Sequence, residues 1–270
     1  AVGAFRDRGD VMRVRTLMVL AACAALFHSA SSADLPEHTI RQTPSTIVVD
    51  GHLDEAAWQG AAPVADFVFP WYESGARETT QARLLWDRTH LYVAFVAQDE
   101  HISAFHEERD ESVSRDDCLE VFVAPDPGDV SKYFNFEFNA LGTVLDRSPR
   151  DGRSKEWNAP GLQVAVKIDG TLNDDSDLDR QWVVELAIPF EVFADYAPRV
   201  PPIDGDEWRL NLYRAGGQVD AQYSAWSNTE TSTPSFHVPE RFGIVRFSEE
   251  LVLSTAAPVI SWAQVKEAQP

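Results

Sequence analysis

Residues Tyr133–Asn139 read Tyr-Phe-Asn-Phe-Glu-Phe-Asn. A period of two marks a strand, because successive side chains of an extended chain point to opposite faces. Phe134, Phe136 and Phe138 share one face, and Tyr133, Asn135, Glu137 and Asn139 share the other. A helix would scatter those phenylalanines around its surface, so the segment must cover a core as part of a sheet. Weaker versions of the pattern recur along the chain. They cover Ile47–Gly51, Gln81–Asp87, His90–Gln98, Cys118–Ala124, Leu162–Ile168, Gln181–Ile188, Trp208–Ala215, Gln222–Trp226 and Gly243–Phe247. Arg88-Thr89 joins the second and third of these as a hairpin. Helical signals are confined to a turn capped by Asp54 through Trp58 and another opened by Pro189 through Phe193. Nothing is long enough for the helical crossover of a parallel α/β fold. The predicted fold is all-β: an antiparallel β-sandwich of about ten strands, jelly-roll or immunoglobulin-like, with one or two short helical turns. Its domain is expected over residues 46–248, with 34–45 as a leader and 249–270 as a tail.

The first 33 residues follow another logic. Met12-Arg13-Val14-Arg15 is basic, Thr16–Phe27 carries no charge, and Ser31-Ser32-Ala33 is small. Basic, apolar, then small is the order of a secretory signal peptide. Residues 1–33 are therefore read as upstream sequence plus a signal peptide cleaved near Ala33, which places the mature protein in the periplasm or outside the cell. Leu20-Ala21-Ala22-Cys23 gives the alternative of a lipoprotein anchored through Cys23. The uncharged run is shorter than the roughly 20 residues a membrane helix needs, so no span is expected. The chain holds 23 Lys and Arg against 43 Asp and Glu, a net charge of −20, and cleavage would make it about −22. That balance opposes nucleic acid and anionic membrane surfaces as partners. One cysteine would survive cleavage, Cys118, in an apolar strand where a buried inert thiol is expected.

Aromatic residues next to turns suggest what the domain holds. A pyranose offers an apolar C–H face and a rim of hydroxyls, so its site combines flat rings with carboxylates, amides and arginine. Trp71 follows Pro70, Trp157 precedes Pro160-Gly161, Trp226 ends a strand, and Phe236 precedes Pro239. Glu120, Glu137 and Glu185 alternate with apolar residues on strands, a placement that suits binding and catalysis alike. Asp99, Asp110, Asp116 and Asp117 bracket one connection and could supply hard oxygen ligands to calcium. With no methionine after cleavage, haem is not expected, nor is a nucleotide.

Together the residues resemble the family 9 carbohydrate-binding modules among the DOMON-like sandwiches. The resemblance rests on Asp50-Gly51-x-Leu53-Asp54-Glu55-x-x-Trp58, Leu85-Trp86-Asp87, Leu91–Phe95, Asp116-Asp117-x-Leu119-Glu120-Val121-Phe122, Trp182–Pro189, Trp208-x-x-Asn211-x-Tyr213-Arg214 and His237-x-Pro239-Glu240-x-Phe242-Gly243. It implies a non-catalytic sugar-binding domain that serves polysaccharide breakdown, often xylan, beside separate glycoside hydrolases, with structural calcium at Asp99 and further at Asp110 and Asp117. It also implies an aromatic clamp. Phe236 takes one clamp position and Ser114 stands at the other, where sugar-binding members carry Trp. Glu120 and Asn139 match polar contacts, and Glu137 stands where those members carry Arg. Trp71, Trp157 and Trp226 are candidate replacement rings, and Arg214 joins the sugar-binding candidates. Two alternatives stay open: a glycoside hydrolase working through Glu120 and Glu137, and an interaction domain without a sugar ligand.

Overall fold

The computed structural model describes residues 35–252 apart from positions 76, 151, 152 and 155. The expected signal peptide, cleavage at Ala33, the Cys23 alternative and the tail beyond 252 lie outside the described residues. Eleven strands, one short helix and a few single turns make up the described chain. In chain order the strands are β1 (Glu37–Gln42), β2 (Thr80–Trp86), β3 (His90–Gln98), β4 (Cys118–Ala124), β5 (Phe134–Asn139), β6 (Val144–Arg147), β7 (Gln163–Asp169), β8 (Gln181–Pro189), β9 (Glu207–Ala215), β10 (Ser224–Ala225) and β11 (Gly243–Leu251). They form one sheet in the order β6-β5-β4-β9-β11-β1-β2-β3-β8-β7, with β10 added to β9. The all-β expectation holds. The one departure from antiparallel pairing is β1, which runs parallel to both β11 and β2. Residues 37–42 are thus a strand in the middle of the sheet and not a leader. Ile47–Gly51, expected as a strand, is a loop. The helix α1 (Ala56–Gly60) starts after Glu55, one residue later than an Asp54 cap would place it.

The sheet curls so that its two halves share one core. Phe134, Phe136 and Phe138 from β5 meet Leu119, Val121 and Val123 from β4, Trp182, Val184, Leu186 and Ile188 from β8, and Trp208, Leu210 and Leu212 from β9. Aromatic edges meet aromatic faces there: Trp208 lies 5.1 Å from Phe247 at 75°, and Trp86 lies 5.5 Å from Phe247 at 81°. Such contacts add to the burial of each ring, and truncating one costs about 3–5 kcal/mol.

Each outer face of the sheet carries its own smaller cluster. On the β2–β3–β8 side, Trp58 of α1 packs with Leu85, Tyr92 and Ala187. Glu185 explains the Asp50-to-Trp58 motif. Its carboxylate accepts the Asp50 and Gly51 amides at 3.0 Å each and the Trp58 indole N–H at 2.9 Å. Glu185 is therefore a clasp for that loop. On the β4–β5–β9 side, Cys118, Phe122, Tyr213 and Phe242 form the outer cluster, and Phe236 folds over them. Cys118 is free and fully buried, and burial with the nearby Glu120 and Glu137 charges pushes its thiol well above its usual range. It is the inert thiol expected.

Candidate functional site

The polar row of β5 and the alternate row of β4 emerge on that same outer face. Glu120 of β4 stands in register with Glu137 of β5 on one side and Tyr213 of β9 on the other. In-register neighbours have Cβ atoms about 4.5–5.5 Å apart, so the two carboxyl groups rise side by side. They floor a cavity of about 360 Å3. Ser114 and Arg115 enter its rim from the turn before β4, and Phe236 and His237 enter from the loop after β10. The turn is held close to the end of β9 by Gly216, whose φ is +82°. A Cβ there would lie 1.9 Å from the Asp116 carbonyl oxygen, so only glycine permits this approach.

The floor is electrostatically lopsided. Glu137 accepts the Asn135 side-chain N–H at 2.7 Å. Arg153 donates in turn to the Asn135 side-chain oxygen and to the Tyr133 carbonyl oxygen, and covers the Tyr133 ring at 4.0 Å. The Tyr133 hydroxyl meets His237 Nδ1 at 2.9 Å. Glu120 receives none of this. Its side chain is 2% exposed, and it accepts no hydrogen bond from the described residues. Burial, together with the Glu137 charge, pushes its carboxyl well above the usual range. A buried carboxyl facing a cavity without a protein partner is poised to bond a polar ligand.

The other sequence candidates divide. Phe236 lines the cavity but is 9% exposed, since it stacks on Tyr213 at 4.1 Å and 12°. Ser114 lines the same cavity, so the position where the resemblance implies a second clamp ring offers a hydroxyl. Trp71 stands next door, its indole N–H donating to the Thr231 carbonyl at 2.8 Å and its ring 5.9 Å from Phe236. Trp226 does not reach the site. It belongs to the shared core, and a Cβ on Gly243 would come within 2.5 Å of its ring. Trp157 packs 5.6 Å from Phe134 and 6.3 Å from Phe136, on the core side of β5. Asn139 spends its amide on structure, donating to the His106 carbonyl and Asp116 and accepting the Leu141 and Thr143 amides.

Arg214 is also structural. Its guanidinium is 1% exposed and lies 2.8 Å from both Glu78 Oε2 and Asp99 Oδ2, and 4.0 Å from Asp117 Oδ1. At Asp99 and Asp117, expected as calcium ligands, the cation that lies among the acids is this guanidinium. Asp110 does not join them. It lies near Asp146, whose carboxyl is held by Arg109 at 2.7 Å and the Ala159 amide at 2.9 Å. Among the described residues no group of three or more His, Cys, Asp or Glu side chains is placed to hold a metal ion.

Tyr223 and Arg115 are functional candidates that sequence reasoning missed. Tyr223 is 39% exposed at the cavity edge because β10 is only Ser224–Ala225 and releases its neighbour from the sheet. Alternation did carry the signal. It places Tyr223 opposite in facing to Trp226, so the burial of one accompanies the exposure of the other.

Comparison with known proteins agrees with this architecture. A family model described as carbohydrate-binding family 9 matches residues 54–247. A comparison with curated protein sequences finds no match. Among solved structures, a Bacteroides uniformis protein provisionally named as carbohydrate-binding superposes with a TM-score of 0.65 at 19% identity, covering 79% of this chain and 100% of its own. A family 9 module from Caldicellulosiruptor kristjanssonii in complex with cellotriose gives 0.56 at 14% identity, covering 83% and 100%. A family 9 module from the same organism in complex with glucose gives 0.54 at 15% identity, covering 78% and 96%. At these identities the superpositions speak to the fold, and the match across most of the sequence speaks to the family. The chain belongs to carbohydrate-binding family 9.

Proposed function

We propose that the acid-floored cavity binds a saccharide without cleaving it. The observation that carries this reading is Glu120, a buried carboxyl facing the cavity with no hydrogen bond from the described residues. Sugar hydroxyls supply what it lacks, since each can donate or accept. Glu137, fixed by Asn135, offers a second acceptor beside it, and Ser114 and Arg115 add donors at the rim. Tyr223 and the edge of Phe236 give the apolar wall a sugar ring needs. The volume suits a small ligand. Family membership and the glucose- and cellotriose-bound modules of the same fold support the same class of ligand.

The raised pKa of Glu120 is also what a general acid needs, which favours the hydrolase alternative. Its placement argues against that. Glycosidase carboxyls flank the scissile bond, whereas Glu120 and Glu137 share one floor on adjacent strands. The mature protein is proposed to act outside the cytoplasm beside separate glycoside hydrolases on plant glucan or xylan; the basic–apolar–small order of residues 1–33 supports export.

Isothermal titration with glucose, cellotriose, xylose and xylotriose tests the reading. Binding heat from the wild type, lost in Glu120→Leu, is expected, with no release of reducing sugar. Absence of heat for every sugar at millimolar protein overturns saccharide binding, and release of reducing ends overturns its non-catalytic character.

A further inference from the structure

Next to the first cavity lies a larger one, of about 650 Å3, between the loops 69–74, 221–223 and 231–234. The two share Tyr223 and Pro234 in their walls. Resting on the saccharide-binding reading, we propose that the ligand is an oligosaccharide of two or more units, one seated over Glu120 and Glu137 and the rest crossing Tyr223 into this second cavity.

Tyr223 is placed as the bridge. Its ring stands edge-on to Trp71 at 6.4 Å and 82° and to Phe236 at 6.3 Å and 69°. Its hydroxyl makes no hydrogen bond to the described residues, so it is open to a ligand oxygen. Beyond it, the second cavity repeats the chemistry a further sugar ring requires. Trp71 and Tyr72 contribute aromatic surface, and Tyr72 is 44% exposed. Glu73 and the hydroxyls of Ser232 and Thr233 supply hydrogen-bonding groups.

The walls are tied together before any ligand arrives. Val68 and Ala225 exchange two backbone hydrogen bonds at 2.8 and 2.9 Å, and the Trp71 indole joins its loop to Thr231. The Tyr72 hydroxyl donates to the Gly75 carbonyl at 2.9 Å, and Arg77 covers the Tyr72 ring at 4.8 Å. Preorganised walls reduce the ordering cost of binding, so added sugar units should add affinity. The chemistry is that of a neutral chain: rings and hydroxyl-bonding groups, with no basic side chain among the described residues that line the second cavity to select an anionic sugar.

Titration with matched ligands tests this: glucose against cellotriose, and xylose against xylotriose. In the wild type the trisaccharide of the pair that binds should be about tenfold or more tighter than its monosaccharide. Tyr72→Ala, at an exposed position, and Ser232→Trp, which fills the second cavity, should each remove most of that gain and leave monosaccharide affinity unchanged. Equal affinity for both lengths in the wild type, or a length gain that survives both variants, overturns the extended site while leaving the first cavity's role standing. No heat from either length overturns both readings.

Discussion

Two acid clusters meet adjacent residues of β9, Arg214 and Tyr213, and they are built in opposite ways. Around Arg214, one residue beyond Tyr213, the carboxylates of Glu78 and Asp99 each lie 2.8 Å from the guanidinium, and Asp117 takes the amide and hydroxyl of Ser103 at 2.8 and 2.9 Å. Glu78 is further held by the Gln222 side chain and the Glu100 amide. Opposite Tyr213, Glu120 faces a cavity with Glu137 beside it and no described group bonding it. Buried charge is costly unless paired. The first cluster answers that cost within the protein, and the second leaves it open to whatever enters. Acid count therefore says little about function here; the destination of each carboxylate oxygen says more.

Breaking the closed cluster should have the largest effect. Arg214→Met strands Glu78, Asp99 and Asp117 among themselves in a buried place. Removing one partner of a buried charge network costs about 3–5 kcal/mol. For a domain of this size that corresponds to a fall in Tm of roughly ten degrees or more, measured by thermal or urea unfolding at pH 7. A loss below about 1 kcal/mol would mean that the cluster is open as well.

The open cluster should respond in the reverse sense. Glu120→Leu removes a carboxyl that burial and Glu137 disfavour in its charged form. At pH 7 the variant should melt no lower than the wild type, with a gain of about 2–4 °C per kcal/mol of relieved penalty. Saccharide affinity should fall at least about tenfold. A variant that melts well below the wild type would place Glu120 with the structural acids, and the contrast would be gone.

A smaller effect comes from pH. Burial and the Asp99 charge, opposed by Arg214, push Asp117 up to about 7. Between the ordinary aspartate range and pH 7 the unfolded chain has released this proton while the folded chain keeps it. The unfolded state then binds fewer protons, so this group's contribution to stability declines as pH rises from about 4 to about 7. Asp117→Asn should remove that decline, and the wild-type-minus-variant stability difference should drift by about 1–3 kcal/mol across the window. Urea midpoints at several pH values measure it; a flat difference would show Asp117 titrating normally in the fold.

Which parts of this were legible in the sequence follows from how local their causes are. The alternation of Tyr133–Asn139 is local, and β5 has the inward phenylalanines and outward Asn135, Glu137 and Asn139 it implies. Strand β1 was hidden because Glu-His-Thr-Ile-Arg-Gln has Ile40 as its one apolar residue, and because its partners β11 and β2 lie far along the chain. The resemblance placed Ser114, Phe236, Glu120 and Glu137 in one list, and one cavity gathers them. It could not tell that Asn139 turns to brace a loop or that Trp226 fills the space over Gly243. Those outcomes depend on distant backbone. Arg214 was readable in part: alternation puts it in the inward row with Leu210 and Leu212, where an arginine must find acids.

The smallest expected effect concerns calcium. With a guanidinium among Asp99 and Asp117, added calcium has no vacancy there, and moving between excess calcium and excess chelator should shift Tm by less than about 1 °C. A ligand that binds only the folded state raises stability by about 2.7 kcal/mol at a hundredfold excess over its Kd, so a real site would be plain in the melt. A clear rise would point to Asp110 and Asp146, which each carry one buried side-chain oxygen without a partner among the described residues. Asp146→Asn would then abolish the rise while Asp99→Asn would not. That result would add a third kind of acid pair to the contrast: one completed neither by the protein nor by a sugar, but by an ion.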